Sequence, residues 1–203
     1  ASKSTDIDAT FATSAIPALV KMLEDDHNAA RRPAANALGN LRAHVTTEQC
    51  HSIIALLASD EDAPYGGGAI SVRRAALLAV TGLCGDVGGN GGVPAAIATC
   101  VDDIHALLQH ESPDAREMSA RALAAMEEHA DQSKLVTLLE DEEPDVRSAA
   151  ADSLARLSAQ HADAPTASAI ATLLAKSEDE EVRALAAVTL GRLDAANSVG
   201  AFT

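Results

Sequence analysis

The residues able to hold a metal or act as nucleophiles are few. Cys50-His51 is one candidate group, and Cys100 with Asp103 and His105 is a second. The helices carrying them are neighbours in chain order, so a Cys/His meeting is sterically conceivable. Nothing in the spacing is a zinc signature. Cysteine is among the most buried residue types, and the three thiols read as core residues of a reducing, cytoplasmic compartment. His27, His44, His129 and His161 fall near helix ends and turns, where they read as solvated or capping. No Ser/His/Asp set can be assigned. The Gly-rich stretch CGDVGGNGGV (84–93) lacks a P-loop's lysine and preceding strand, so it reads as a flexible joint or a partner-ordered loop. Acids crowd several turns, yet none spells a calcium loop. The expectation is no catalytic residue, no metal and no cofactor.

Arginine is the residue type whose spacing is informative. There are eleven, against four lysines. Five of them anchor a recurring phrase. Aligned on Arg31, Arg73, Arg116, Arg147 and Arg183, each copy has small or apolar residues three and four positions later. Aliphatic residues follow at seven and ten. Offsets 0, 3, 4, 7 and 10 trace one face of a helix. The pattern is plainest in DEEPDVRSAAADSLARL (141–157) and DEEVRALAAVTLGRL (179–193).

A second helix must precede each of these. LVKML (19–23), IIALL (53–57), IHALL (104–108), LVTLL (135–139) and IATLL (170–174) each end upstream of an anchor arginine. Every unit is therefore helix A, a turn and helix B. Pro113 and Pro144 sit near the first turn of helix B with a carboxylate beside them, as a helix start favours. The hairpins span approximately 14–43, 47–83, 94–128, 129–160 and 163–194. Residues 1–13 are an N-terminal cap or tail, with Ile7 and Phe11 as capping candidates. Residues 195–203 are a C-terminal tail in which Val199 and Phe202 could fold back. The second hairpin carries an insertion, SDEDAPYGGGAIS (59–71), with the only tyrosine, Tyr65.

Five tandem hairpins with (D/E)-(V/A)-R-x-x-A-A-x-x-L-x-x-L in helix B resemble HEAT repeats, most nearly the subtype named from phycobilisome lyases. The resemblance covers roughly 14–194 and is weaker in the first two copies, where Ala29 and Ser71 replace an acid. It implies an all-α fold: a right-handed α-solenoid (superhelix) with the B helices on its concave side. It also implies that the anchor arginines 31, 73, 116, 147 and 183 form a structural ladder with acids of their own or a neighbouring repeat. Enzymes on this scaffold are not matched: a HEAT-like di-iron hydroxylase needs several His-Glu pairs, and only His110-Glu111 is present.

Residues at offsets 1, 5 and 9 would then face the concavity. They include Arg32, Asn36, Asn40, Arg74, Leu78, Arg121, Asp152, Arg156 and Arg192. With Tyr65, these are the candidate partner contacts; the competing reading is i,i+4 pairing along one helix, such as Asp152 with Arg156. Composition points the same way. The chain is 203 residues, 47% hydrophobic and 1% aromatic, which suits packed Ala/Leu helices. Thirty acids face fifteen bases, a net charge of −15, which disfavours nucleic acid as a partner. No apolar run is long enough to cross a membrane, and the N-terminus lacks a secretory pattern. Acid-rich, lysine-poor composition resembles that of salt-in halophiles, so a halophilic archaeon is the expected source. The expected role is a non-catalytic scaffold or adaptor, a monomer in isolation, holding a protein or peptide on the B-helix face, with a sensory or signalling pathway as a natural setting. The alternatives are a lyase-like or enzyme-accessory protein handling a cofactor-bearing partner, and a structural subunit of a larger assembly.

Overall fold

The computed structural model describes the backbone of residues 9–26, 28–59, 70–85, 93–161 and 164–200. Side chains are described for the same residues except 9, 28, 128, 158–161 and 194–200. Tyr65, Ile7, Val199, Phe202 and residues 86–92 of the Gly-rich stretch therefore lie outside the described side chains. Among the described residues there is no strand, and the chain forms two compact units, 1–100 and 101–203.

In the first unit the helices are α1 (Ala9–Met22), α2 (Arg31–Asn40), α3 (Thr47–Ala55), α4 (Val72–Cys84) and the short α5 (Ala95–Ala98). The second holds α6 (Val101–Leu107), α7 (Pro113–Leu123), α8 (Gln132–Thr137), α9 (Pro144–His161), α10 (Ala164–Lys176) and α11 (Glu180–Gly200). Local chemistry sets the starts. Thr46 and Gln49 close a reciprocal capping box on α3, and the Ser71 hydroxyl accepts the Arg74 N–H at the start of α4. Pro113 and Pro144 open α7 and α9, where a missing N–H costs nothing. The helix expected to carry Cys100, Asp103 and His105 is two. Thr99 and Cys100 form the turn between α5 and α6, tightened by Cys100 N–H donating to Ile97 O at 2.9 Å.

Offset 3 from the anchor arginine is buried in every copy, at Ala34, Ala76, Ser119, Ala150 and Ala186. So are Leu38 and Leu41, Val80 and Leu83, Leu123 and Met126, and Leu154 and Leu157 at offsets 7 and 10. Small residues let neighbouring B helices approach closely. In the first unit α2 packs on α4, and a Cβ on Gly39 would lie 3.0 Å from Gly82 Cα. In the second unit α7 packs on α9 and α9 on α11. There the Ser153 hydroxyl donates to Ala120 O at 2.8 Å, tying α9 to α7. The far end of α1 is less enclosed: Phe11 is 63% exposed.

Candidate functional site

The anchor arginines divide structural work from surface work. Arg116 donates through Nη1 to His110 O (2.9 Å) and Glu111 O (3.1 Å). Arg147 makes the same pair of bonds to Asp141 O and Glu142 O, and Arg183 to Ser177 O and Glu178 O. Arg31 reaches Asp25 O through Nε and Ile70 O through Nη1. Apart from Ile70 in the following hairpin, each acceptor lies five or six residues before its arginine where the preceding helix ends, where carbonyls lack intrahelical donors. The guanidinium closes its own A–B turn.

Two of these arginines also hold a carboxylate of the next hairpin. Arg116 grips Asp141 with two parallel bonds of 2.8 Å. Arg147 donates to Glu181 at 2.6 Å. Burial raises the Asp141 pKa, but the Arg116 hydrogen bond, the Glu143 N–H and the charges of Arg116 and Arg147 outweigh it. The net effect holds this carboxyl below its ordinary range. The Arg73 guanidinium is buried on α4.

The surface set stands on the other side of the B helices. Arg32, Asn36 and Asn40 are exposed on α2; Arg74 is exposed and Leu78 half-buried on α4. In the second unit Arg121, Asp152, Arg156 and Arg192 come together, with Ser153 and Ala155, around an open depression of about 550 Å³. Three successive B helices supply its arginines. Arg121 pairs with Glu117 on its own helix at 2.9 Å. Asp152 pairs across helices with Arg192 at 2.5 Å, and not with Arg156 four residues on. The packing of α9 against α11 brings Arg192 to it. Arg156 thus has no ion-pair partner among the described residues. Ser153 and Ala155 were not foreseen as lining. Their small size beside the arginine stripe is the signal, since it is what leaves room.

The three thiols, Cys50, Cys84 and Cys100, and His105 are buried. Cys100 Sγ donates to Ala96 O at 3.4 Å. Burial, with Cys100 nearby, pushes the Cys50 thiol up to about 12. A thiolate is the reactive form, so thiol reagents should label Cys50 only at the rate of unfolding; rapid labelling of folded protein would overturn this. His105 is buried on α6, its Nε2 accepting the Asp131 N–H at 3.2 Å. Burial, with Lys134 nearby, lowers its pKa despite Asp131 and Asp102. A neutral ring fits the acceptor role. His51 and Asp103 are exposed.

No helix among the described residues is long and apolar enough to cross a membrane. The family model for HEAT repeats matches residues 66–155 and 133–201. No curated protein matches the chain. Among solved structures, the chain is similar to a complex of CpcE and CpcF of phycocyanin lyase from Nostoc sp. PCC7120, at 18% identity. That match covers 87% of this chain and 98% of the other, with a TM-score of 0.53. It is also similar to a designed armadillo repeat protein in complex with the peptide (KR)4. There the identity is 20%, the coverage 89% of this chain and 82% of the other, and the TM-score 0.50.

Proposed function

Because the chain belongs to the HEAT-repeat family, whose repeat folds typically serve as protein-binding scaffolds, we propose that it is a non-catalytic adaptor holding an extended, carboxylate-bearing peptide segment in the α7–α9–α11 groove. The observation that carries this is Arg156. It stands exposed in a three-arginine groove without an ion-pair partner among the described residues, in a protein of net charge −15. A cation kept unpaired among so many acids is poised for an incoming carboxylate. Arginine offers that group a planar two-bond fork. The designed armadillo neighbour holds a basic peptide; here the groove has the opposite sign, so the ligand should be acidic. On the first unit, Arg32, Asn36, Asn40, Arg74 and Leu78 would form a contact surface of their own, with Tyr65 as an aromatic contact.

The test is fluorescence anisotropy with two labelled octapeptides, one alternating Glu and Leu and one the basic (KR)4. The acidic peptide should bind and (KR)4 should not. Arg156→Glu should weaken binding at least about tenfold, the effect of about 1.4 kcal/mol, with unchanged circular dichroism. Equal binding by wild type and Arg156→Glu would remove the groove from the reading.

A further inference from the structure

The α7–α9–α11 depression is highly charged, yet nearly balanced. Arg121, Arg156 and Arg192 line it together with Asp152. Arg121 is paired with Glu117 and Arg192 with Asp152. A single guanidinium, that of Arg156, is left uncompensated among the described residues. One surplus positive charge matches a ligand group with one negative charge. A carboxylate carries one; a phosphate monoester carries about −1.5 to −2 at pH 7.

The two pairs differ in kind. Glu117 and Arg121 lie four residues apart on α7, and the Glu117 side chain is only 16% exposed. That pairing is set by one helix, on which such neighbours share a face. Asp152 and Arg192 belong to different helices, and their side chains are 50% and 51% exposed. An exposed pair of this kind contributes little to stability. Removing the Asp152 charge should therefore leave the fold intact and Arg192 free in the same depression. Asp152 also stands one turn before Arg156 on α9 and lines the depression with it. An anion held by the Arg156 fork thus lies beside the Asp152 carboxylate.

Resting on the reading of this groove as the peptide site, we propose that Asp152 is its charge filter. It occupies Arg192 and presents its own negative charge to the incoming group. A carboxylate tolerates this, because Arg156 alone supplies a planar two-bond fork. A phosphate dianion calls for a second cation and meets a like charge instead. Releasing Arg192 does not help it, since the Asp152 carboxylate then stands unmasked beside Arg156. The groove takes segments bearing Glu or Asp and turns away phosphorylated ones. Specificity of this kind comes from the repulsive group as much as from the attractive one. The net charge of −15 acts in the same direction.

Fluorescence anisotropy of the full chain at neutral pH tests this with two labelled octapeptides. Both alternate Glu and Leu, and in the second a phosphoserine replaces one central Glu. Wild type should bind the Glu peptide more tightly than the phosphopeptide. Asp152→Asn should melt as wild type does and reverse the order, binding the phosphopeptide at least about tenfold more tightly than wild type binds it. That gain should shrink as KCl is raised towards about 1 M, where the Debye length is near 3 Å. Asp152→Glu keeps the charge and should keep the wild-type order. If wild type binds the Glu peptide and Asp152→Asn retains the same preference, the filter is overturned and the groove stands. An Asp152→Glu protein that prefers the phosphopeptide would also overturn it, since charge would not be what selects. If wild type binds neither peptide while Asp152→Asn binds the phosphopeptide, the filter is supported and the carboxylate reading of the groove falls. No binding by any of the three proteins overturns both.

Discussion

Arg116→Ala should destabilise the second unit by about 3–5 kcal/mol, the usual cost of removing one partner of a buried ion pair. The two side chains are only 9% and 8% exposed. The substitution deletes the two-bond grip on Asp141, uncovers two helix-end carbonyls and leaves a carboxylate enclosed without its cation. Arg147→Ala removes an equivalent pair of carbonyl bonds, but its partner Glu181 is 76% exposed and regains water. Its cost should be smaller, about 1.5–3 kcal/mol, the range for hydrogen bonds from a charged group. Urea unfolding of both variants gives the comparison; equal losses would mean that the Asp141 pair adds nothing.

The same pair sets an acid dependence. The folded Asp141 carboxyl sits below its ordinary range, held there against burial by Arg116 first, then by the Glu143 N–H and the charges of Arg116 and Arg147. A depressed folded value means that the folded state binds the proton less readily than the unfolded one. Its contribution is therefore present above the unfolded value, about 3.9, and is lost as pH falls through the folded value. His105 acts earlier. Its folded value is lowered, so stability falls as pH drops below the unfolded value near 6.5 and levels off below the folded one. Wild type should lose stability over both windows. Asp141→Asn should lose only the lower window.

Gly39→Leu should destabilise the first unit by about 3 kcal/mol or more, at the upper end of overpacking costs. The first added carbon already lies 3.0–3.2 Å from the Cα, carbonyl carbon and oxygen of Gly82. Those are backbone atoms of a packed helix, so no side chain can swing away. Even Gly39→Ala must set this clash against the roughly 1 kcal/mol that alanine gains over glycine within a helix. Gly191 occupies the same offset in α11 with nothing within 4 Å. Gly191→Ala should therefore stabilise by about 0.5–1 kcal/mol. Thermal melts of the pair decide it. A Gly39→Leu protein as stable as wild type would show that α2 and α4 can separate freely.

Much of the fold is legible in the residues. The arginine register placed the packed face at offsets 3, 4, 7 and 10, because a helix repeats every 3.6 residues and burial must follow one stripe. Ala34, Val80, Leu123 and Leu157 are buried accordingly. The paired helices follow from the leucine phrases, and Pro113 and Pro144 mark where α7 and α9 begin. The break between α5 and α6 was less visible, since it depends on a local turn at Thr99–Cys100 and no proline or glycine announces it.

What tertiary structure alone decided is which charge meets which. Spacing made Asp152 and Arg156 equally good partners four residues apart. Helix packing gave Asp152 to Arg192 instead, forty residues away, and so left Arg156 without an ion-pair partner among the described residues. Likewise Arg116, Arg147 and Arg183 sit in the same local phrase, and each closes its turn in the same way. Only packing against a neighbouring hairpin separates the two that hold a carboxylate from Arg183, which holds none among the described residues. Periodicity is a property of one helix and can be read along the chain. Pairing across helices depends on how two helices are set against each other, and short-range spacing does not encode that.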